Sequence, residues 1–330
     1  MLDKGDEMDK FWKDFPQIIN ELDEVKNIIM QNIKSRENYL EESILPMVEG
    51  GGKMLRPAFL LLASKFGSCD EKKIHNIAAV IEMLHLATLV HDDIIDDSKL
   101  RRGCETIQHK YGKDYAVYIG DFLFCQCIMM LSEYDYTMED LKNISKVISK
   151  ICMGEIRQYN LRYGKNMNFR KYIRIISGKT AALFALSFYV GANEAECDKL
   201  TSKLLARIGY NSGMAFQIMD DLLDYNGDSK QLGKAALKDL IRGYYTLPLI
   251  YALENDKEQK ISKLLDNKDL SDEETMKVIS LVKEYEGIEK AKIVADKYTQ
   301  KALDNVDKLP DCEAKEIIRY AVKKLLSRNY

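Results

Sequence analysis

Apolar residues recur every three or four positions along most of this chain, a period typical of amphipathic α-helices, and the strict alternation that marks strands is nearly absent. The start of one helix can be predicted, because Ser68 and Glu71 have the spacing of a capping box. Its inward face is predicted to carry Ile74, Ile77, Ala78, Ile81, Leu84, His85 and Thr88. A second long helix is predicted from Lys199 to Tyr225, ending before an Asn-Gly pair. The pattern therefore predicts an all-α fold.

Both of these helices end in the same acidic pattern, D-D-x-x-D. The two clusters are Asp92, Asp93 and Asp96, and Asp220, Asp221 and Asp224. On a helix the first and last Asp of each cluster share a face and the middle one flanks it. The segments before them, HLATLV and GMAFQIM, are apolar, which disfavours an ordinary solvated acidic face. Carboxylates at a helix C-terminus repel one another and the helix dipole, so the clusters predict bound cations.

Oxygen-only ligands of this kind suit Mg²⁺, which takes one or two carboxylates and completes its coordination with water and substrate phosphate. Two such clusters facing one another across a pocket would hold a diphosphate between them. Mg²⁺ is therefore the expected cofactor.

Composition narrows the class of protein. The chain has 330 residues, of which 46% are hydrophobic, and no linker-like tract, which favours a single helical domain over residues 1–330. A net charge of −3 argues against a nucleic-acid partner, so any phosphate recognition must be local. Seven scattered cysteines without C-x-x-C pairs are expected to be reduced and to form no zinc site, with Cys125 and Cys127 facing the core.

Membrane and export signals are not expected from the sequence. The longest uncharged apolar stretch, 180–192, is too short to span a bilayer, and the N-terminal residues lack the basic and apolar regions of a signal peptide. A cytoplasmic location is therefore expected.

Several basic or polar residues could recognise phosphate. Three glycines precede Lys53 and Arg56, and glycine lets backbone amides approach a phosphate, although a capped helix start explains the same residues. Arg101 and Arg102 follow the first acidic cluster and would otherwise be a surface charge pair. The remaining candidates are Lys179 and Thr180, predicted to open a helix over 180–190, Gln217, one turn before Asp220, and His85, two turns before Asp92 and otherwise a core histidine.

Eight motifs occur in a fixed order: GGKMLRP, HLATLVHDDIIDDSKLRRG, YIGDFLF, GEIRQ, ISGKTAALF, GMAFQIMDDLLDY, LGK and TLP. From about Gly50 to Pro248 they resemble the trans-type prenyl diphosphate synthases, or polyprenyl synthetases. Within that family the chain most resembles the long-chain branch, in particular the heptaprenyl type, component II. The resemblance implies a single-domain helical barrel or bundle of the isoprenoid synthase type around a deep central cavity, working as a dimer.

The resemblance also implies roles for individual residues. Isopentenyl diphosphate would be bound by Lys53, Arg56, His85 and Arg102. An allylic diphosphate such as farnesyl diphosphate would be bound by Arg101, Lys179, Thr180, Gln217 and Lys234, of which Lys179, Thr180 and Gln217 are the implied catalytic residues. The magnesium ions would be bound by Asp92, Asp96 and Asp220, helped by Asp93, Asp221 and Asp224.

The implied reaction is ionisation, condensation and elimination. The allylic diphosphate leaves, the isopentenyl double bond attacks the carbocation, and the released diphosphate can take the proton, so no protein base is needed. The chain departs from the family pattern at Ala235 and Leu237, after the LGK motif, and at Tyr244, where the family often has Lys. The change at Tyr244 puts one allylic phosphate contact in doubt.

Alternatives remain open at this level. A farnesyl or geranylgeranyl diphosphate synthase is the nearest. A terpene cyclase would not need the phosphate site of GGKMLRP for a second substrate. A non-catalytic regulatory subunit would be expected to lose its acidic clusters. The heptaprenyl type further implies that a small separate subunit could be needed in place of a second copy, and that the product must reach a membrane.

Thr88 and Ala87 precede Asp92 by four and five residues, about 6 and 7.5 Å along the helix axis. They would border the path of the growing chain. Short-chain members of the family carry bulky aromatic residues there, so the small Ala87 implies an open tunnel and a long product, of the C30–C40 class and best matched by heptaprenyl.

Ala87→Phe is expected to shorten the product, because an aromatic ring at that position would block the tunnel. Chromatography of the products of the variant and the wild type measures the chain length. An active variant that releases the wild-type product would contradict the tunnel assignment.

Overall fold

The computed structural model describes residues 7–34, 38–50, 52–164, 166–225, 238–268 and 270–326. These residues are almost entirely helical, which confirms the predicted all-α class. The strands β1 (Leu100–Arg101) and β2 (Cys104–Glu105) form an antiparallel hairpin, the one sheet in these ranges.

The helices follow one another with short connections. The first are α1 (Glu7–Trp12), α2 (Pro16–Ile33), α3 (Asn38–Glu49), α4 (Leu55–Ser64), α5 (Glu71–Ile95), α6 (Ile107–Tyr111), α7 (Lys113–Ser132), α8 (Met138–Asn160) and α9 (Phe169–Ile176). A π-helical turn (Ser177–Ala181) then leads into α10 (Ala182–Glu194), α11 (Lys199–Leu223), α12 (Lys238–Ile241), α13 (Leu247–Asn255), α14 (Lys260–Leu264), α15 (Asp272–Glu284), α16 (Gly287–Asp307) and α17 (Glu313–Leu326).

The chain packs into two compact units. Unit 1 comprises Met1–Leu141 and Ser187–Ser202, and unit 2 comprises Lys142–Leu186 and Lys203–Tyr330. In unit 1, α5 packs against α2, α4 and α7. In unit 2, α13 packs against α9, α15 and α16, and α16 packs against α17. A single domain over residues 1–330 stays a prediction.

Helix α5 is the central helix of unit 1. The predicted inward residues Ile74, Ile77, Ala78, Ile81 and Leu84 are all buried. Residues on its other sides, including Ala79, Met83 and Ala87, are buried as well. Because helices cover α5 from several directions, its apolar positions exceed a single stripe.

The start of α5 differs from the prediction. The helix begins at Glu71, and its N-cap is Asp70, whose Oδ1 accepts from the backbone nitrogens of Lys72 at 2.9 Å and Lys73 at 3.4 Å. The predicted capping box of Ser68 and Glu71 was therefore wrong, since Ser68 lies two residues too early to bond the free amides of the first turn.

Two further expectations need correction. Lys179 and Thr180 do not open a helix, because they lie in the π-helical turn between α9 and α10. Cys127 is buried as expected, but Cys125 is exposed. The two cysteines are two positions apart on α7, about 200° around the helix, so they cannot share one face.

Three helical segments are long and apolar enough to cross a membrane by length and composition, which the short stretch 180–192 did not indicate. In α5 and in the segment Phe169–Glu194 the most apolar windows are 61% and 72% buried inside the protein, so their hydrophobicity serves the core. In α7 the share is 39%. Its exposed apolar side chains include Tyr118, Ile128 and Met129.

Asp70→Ala should lower the free energy of unfolding by about 1 kcal/mol, because two backbone N–H groups lose their acceptor. Ser68→Ala is the matched control and should change it by less than about 0.5 kcal/mol. Urea denaturation of both variants measures the difference. A larger loss in Ser68→Ala would restore the capping box.

Candidate active site

The first acidic patch lies at the C-terminal end of α5, as predicted. Asp92 and Asp96 are half-buried, whereas Asp93 is buried. Arg101 of β1 binds the Asp93 carboxylate: its Nε donates to Oδ1 at 3.0 Å and to Oδ2 at 3.1 Å, and its Nη2 donates to Oδ1 at 2.8 Å. Such a guanidinium fork is among the strong polar contacts in proteins. The protein itself therefore holds Asp93, and the half-buried face presents Asp92 and Asp96.

The second acidic patch, at the end of α11, has the same plan. Asp220 and Asp224 are half-buried, and Asp221 is buried. The hydroxyl of Tyr172 donates to Asp221 Oδ2 at 2.6 Å, and Gln217 Nε2 donates to Asp221 Oδ1 at 2.9 Å. Burial raises the pKa of Asp221 well above its usual value, although both hydrogen bonds oppose the shift.

Thr180 and Gln217, two of the implied catalytic residues, are in direct contact. The Thr180 hydroxyl donates to Gln217 Oε1 at 2.6 Å, which orients the Gln217 amide so that its nitrogen faces Asp221. A Cβ at Gly213 would lie 2.7 Å from the Cα of Ala181, so the glycine lets α11 approach the π-helical turn closely. The turn thereby connects Thr180 to the second acidic patch.

The outer carboxylates fit a magnesium ion. Within the described ranges, no three His, Cys, Asp or Glu side chains converge into a ready-made metal cage. Each patch instead presents two carboxylates one turn apart on the same face, and these lie beside a helix C-terminus. An ion that accepts one or two protein carboxylates and completes its shell with water and phosphate oxygens matches this donor set.

Unit 1 also brings together a basic cluster beside α5. His85 lies near Arg56, Arg101 and Arg102; burial and then the charges of these three arginines keep the pKa of His85 well below its usual value. The imidazole is therefore neutral near pH 7 and can donate one hydrogen bond and accept another. Burial raises the pKa of the nearby Glu82, although Arg56 and Arg102 oppose the shift.

Lys53 and Gly52 lie at the edge of this cluster. The ammonium of Lys53 is 5.3 Å from the ring centroid of Phe11, and the Lys53 carbonyl accepts from Trp12 Nε1 at 2.8 Å. A Cβ at Gly52 would overlap the Arg102 guanidinium, so only glycine allows this approach of backbone and cation.

Lys179 lies against α8 within unit 2. Its Nζ donates to Glu155 Oε2 at 3.1 Å and to Gln158 Oε1 at 3.0 Å. A Cβ at Gly154 would lie 2.7 Å from the Lys179 backbone nitrogen, so this glycine permits the contact between the π-helical turn and α8. π-helical turns occur often at functional sites, because the extra residue redirects a side chain.

The predicted residues thus fall into two groups. Unit 1 gathers the first acidic patch with Arg56, His85, Arg101 and Arg102, and has Lys53 at the edge. Unit 2 gathers the second patch with Lys179, Thr180 and Gln217. Lys234, Ala235 and Leu237 lie outside the described residues. That the two patches face one another across a pocket stays a prediction, as do the roles of single residues.

Sequence reasoning missed four residues that contact or neighbour these groups: Glu82, Glu155, Gln158 and Tyr172. Two of them carried a usable signal. Glu82 precedes His85 by one helical turn, and Gln158 belongs to the motif GEIRQ. Tyr172 had none, because its contact with Asp221 spans 49 positions of the chain.

Known proteins match these features. A family model described as polyprenyl synthetase covers residues 37–282. The chain belongs to the polyprenyl synthetase family. As a polyprenyl synthetase it is a prenyltransferase that makes prenyl diphosphates, and its all-α isoprenoid synthase fold agrees with the prediction.

Two curated relatives of this polyprenyl synthetase are named heptaprenyl diphosphate synthase component 2. The protein of Bacillus subtilis is 35% identical and the alignment covers 97% of this chain and 92% of the relative. The protein of Geobacillus stearothermophilus is 37% identical, with 94% and 97% covered.

Solved structures of similar proteins cover nearly the whole chain. Geranylgeranyl pyrophosphate synthase of Lactobacillus brevis has a TM-score of 0.91 at 36% identity, with 96% of this chain and 99% of that chain covered. Heptaprenyl diphosphate synthase of Staphylococcus aureus has a TM-score of 0.88 at 34% identity, with 95% and 99% covered. A polyprenyl synthase of Caulobacter crescentus, solved with calcium and isoprenyl diphosphate, has a TM-score of 0.88 at 28% identity, with 97% and 98% covered.

His85→Gln should reduce the loss of stability on acidification. The folded chain keeps His85 neutral, whereas the unfolded chain protonates it below about pH 6.5, so the unfolded state binds more protons and stability falls as the pH drops. Removing the imidazole removes this contribution, which is at most about 1.4 kcal/mol per pH unit.

Urea denaturation of the polyprenyl synthetase at pH 7 and pH 5 measures this effect. The exposed His109 provides the control, since His109→Gln should keep the wild-type pH dependence. If His85→Gln loses as much stability as the wild type, His85 is not held neutral by its surroundings.

Proposed function

We propose that the chain catalyses the Mg²⁺-dependent, head-to-tail condensation of isopentenyl diphosphate onto an allylic diphosphate such as farnesyl diphosphate. The product is a long all-trans polyprenyl diphosphate, of the C30–C40 class and best matched by heptaprenyl. The observation that carries the proposal is the repeated design of the two patches. Each buries its middle Asp against protein donors and presents its outer pair for metal-bound diphosphate.

The charges of the site suit ionisation of an allylic diphosphate. Divalent cations bound to Asp92, Asp96, Asp220 and Asp224 would neutralise the charge that develops on the leaving diphosphate. Lys179 adds a positive charge, and its contacts with Glu155 and Gln158 fix the position of its ammonium before substrate binds. Thr180 and Gln217 orient one another and so can present a hydroxyl and an amide in a fixed geometry.

The basic cluster suits the second substrate. Arg56 and Arg102 can bind the isopentenyl diphosphate through their guanidinium forks. A neutral His85 can donate a hydrogen bond to a phosphate oxygen without adding to the repulsion between the arginines. The elimination step needs no protein base, because the released diphosphate can accept the proton.

Small residues above the first patch support a long product. Ala87 has no exposed surface, and Thr88 is half-buried with its hydroxyl donating to the His85 carbonyl at 2.7 Å. Neither position carries the bulky aromatic ring of short-chain members. A geranylgeranyl diphosphate synthase is the second candidate, because the structure of the Lactobacillus brevis enzyme is similar over nearly the whole chain.

A second protein chain is part of the proposal, as a second copy or as a small partner subunit. The name component 2 of the two Bacillus-type relatives supports a partner subunit. The exposed apolar face of α7, with Tyr118, Ile128 and Met129 each more than 60% exposed, also supports coverage by another chain. The reaction is proposed to occur in the cytoplasm and its product to pass to a membrane.

The direct test is to assay the purified chain with farnesyl diphosphate, radiolabelled isopentenyl diphosphate and Mg²⁺, alone and with cell extract. Long labelled products that disappear on chelation with EDTA would support the proposal. Activity only with extract would indicate the partner subunit. A product that stops at geranylgeranyl would favour the second candidate, and no product under either condition would refute the catalytic proposal.

Asp92→Asn and Asp220→Asn should each lower turnover at least about a hundredfold, because removing one preorganised electrostatic stabiliser commonly has that effect. Asp114→Asn, at an exposed position of α7, is the matched control and should keep wild-type turnover. Steady-state assays with both substrates measure the rates. Wild-type turnover in either patch variant would defeat its role in metal binding.

A further inference from the structure

Arg162, just after α8 in unit 2, lies among three tyrosine rings. Its guanidinium carbon is 5.3 Å from the ring centroid of Tyr159, 5.5 Å from that of Tyr163 and 5.3 Å from that of Tyr244. Its Nε donates to the backbone carbonyl of Arg242 at 2.7 Å. A guanidinium that stacks on aromatic faces keeps its charge and loses much of its side-chain freedom.

The loop over residues 241–245 is fastened to the same place. The backbone nitrogen of Tyr163 donates to the Gly243 carbonyl at 2.8 Å, and the Tyr163 hydroxyl donates to the Ile241 carbonyl at 3.1 Å. Gly243 has a φ of 78°, and a Cβ there would lie 2.6 Å from atoms of the Tyr163 ring. The Arg162 cluster, defined as Arg162 with Tyr159, Tyr163 and Tyr244, is therefore a fixed arrangement.

The Arg162 cluster borders the groups already assigned to the allylic substrate. Gln158, which accepts from Lys179, precedes Arg162 by four residues and so lies about one helical turn before it. On the other side, the Tyr244 backbone nitrogen donates to the Asp239 carbonyl at 2.7 Å. The charge of Asp239 contributes to the raised pKa of Asp221, which places Asp239 near the second acidic patch.

The chemistry of Arg162 suits an anion. Among the described residues, no protein acceptor is bonded to its two terminal amino groups, since its polar contact is the Nε hydrogen bond to Arg242. Arg162 is half-buried, so these two groups can be reached by a ligand. Two parallel N–H donors match the oxygens of a phosphate.

From this geometry we infer that Arg162 binds the diphosphate of the allylic substrate. It supplies from the end of α8 the positive charge that Tyr244 lacks at the position where the family often carries Lys. Tyr244 then serves as one of the aromatic faces that hold the guanidinium. The inference rests on the proposed function and adds a substrate-binding residue to it.

Arg162→Met should raise KM for the allylic diphosphate about tenfold to a hundredfold, the effect expected for loss of a charge-assisted hydrogen bond. KM for isopentenyl diphosphate should change less than about twofold, because that substrate is assigned to the basic cluster of unit 1. Arg207→Met, at an exposed position of α11, is the matched control and should leave both constants at their wild-type values.

A second variant separates substrate binding from a structural role. Arg162→Met combined with Tyr244→Lys should recover at least about a tenfold part of the lost affinity for the allylic substrate, because the lysine returns a positive charge to the same place. If Arg162 only fastens the loop, the double variant loses more affinity than the single one, and both KM values and the melting temperature change together. That result would overturn the inference, as would an unchanged KM in Arg162→Met.

Calorimetry with Mg²⁺ and inorganic pyrophosphate distinguishes failure of this inference from failure of the proposed function. Weaker pyrophosphate binding by Arg162→Met than by Arg207→Met would support the anion site even if the wild type made no polyprenyl product. Equal binding by these variants and the wild type, in a wild type that is an active synthase, would refute Arg162 alone.

Discussion

Three carboxylates within five residues at a helix C-terminus are electrostatically unfavourable, because they repel one another and the partial negative charge of the helix end. The protein meets this problem in the same way twice. In each patch the middle acid turns into the protein and is bonded by donors, while the outer two remain on a half-buried face. The donors differ in kind: Asp93 pairs with the charged Arg101, whereas Asp221 is bonded by the neutral Tyr172 and Gln217. Neutral donors compensate a buried charge less, which fits the raised pKa of Asp221.

The short hairpin after α5 follows from this requirement. It returns the chain so that Arg101 reaches Asp93, and the turn uses Arg102 and Gly103, whose φ values are 52° and 79°. Arg102 therefore leaves β1 at once and points elsewhere, toward Gly52 and the basic cluster. Two adjacent arginines thus act on different groups, one on an acidic side chain and the other beside the proposed substrate site. The pairing is local in sequence, but its division of labour depends on the turn.

The sequence allowed prediction of what depends on local pattern. The period of apolar residues predicted α5 and α11, and the four-residue spacing placed the outer acids of each patch on one face. It failed where the deciding contact is distant or subtle. The cap of α5 moved from Ser68 to Asp70, a shift of two residues that composition hardly distinguishes. The π-helical turn around Lys179 depends on the close approach of Gly154 from another helix, which no window along the chain can reveal.

A chain with a net charge of −3 can still bind diphosphates, because charge is organised locally. In the basic cluster of unit 1, Asp93 offsets Arg101 and His85 stays neutral, so the charges of Arg56 and Arg102 are opposed by that of Glu82 alone. The cluster keeps an excess of positive charge without the full repulsion of four neighbouring cations. Protonation of His85 would increase that repulsion, and burial makes it costly as well. Neutrality of the histidine thus makes it possible to pack two phosphate-binding arginines beside the central helix.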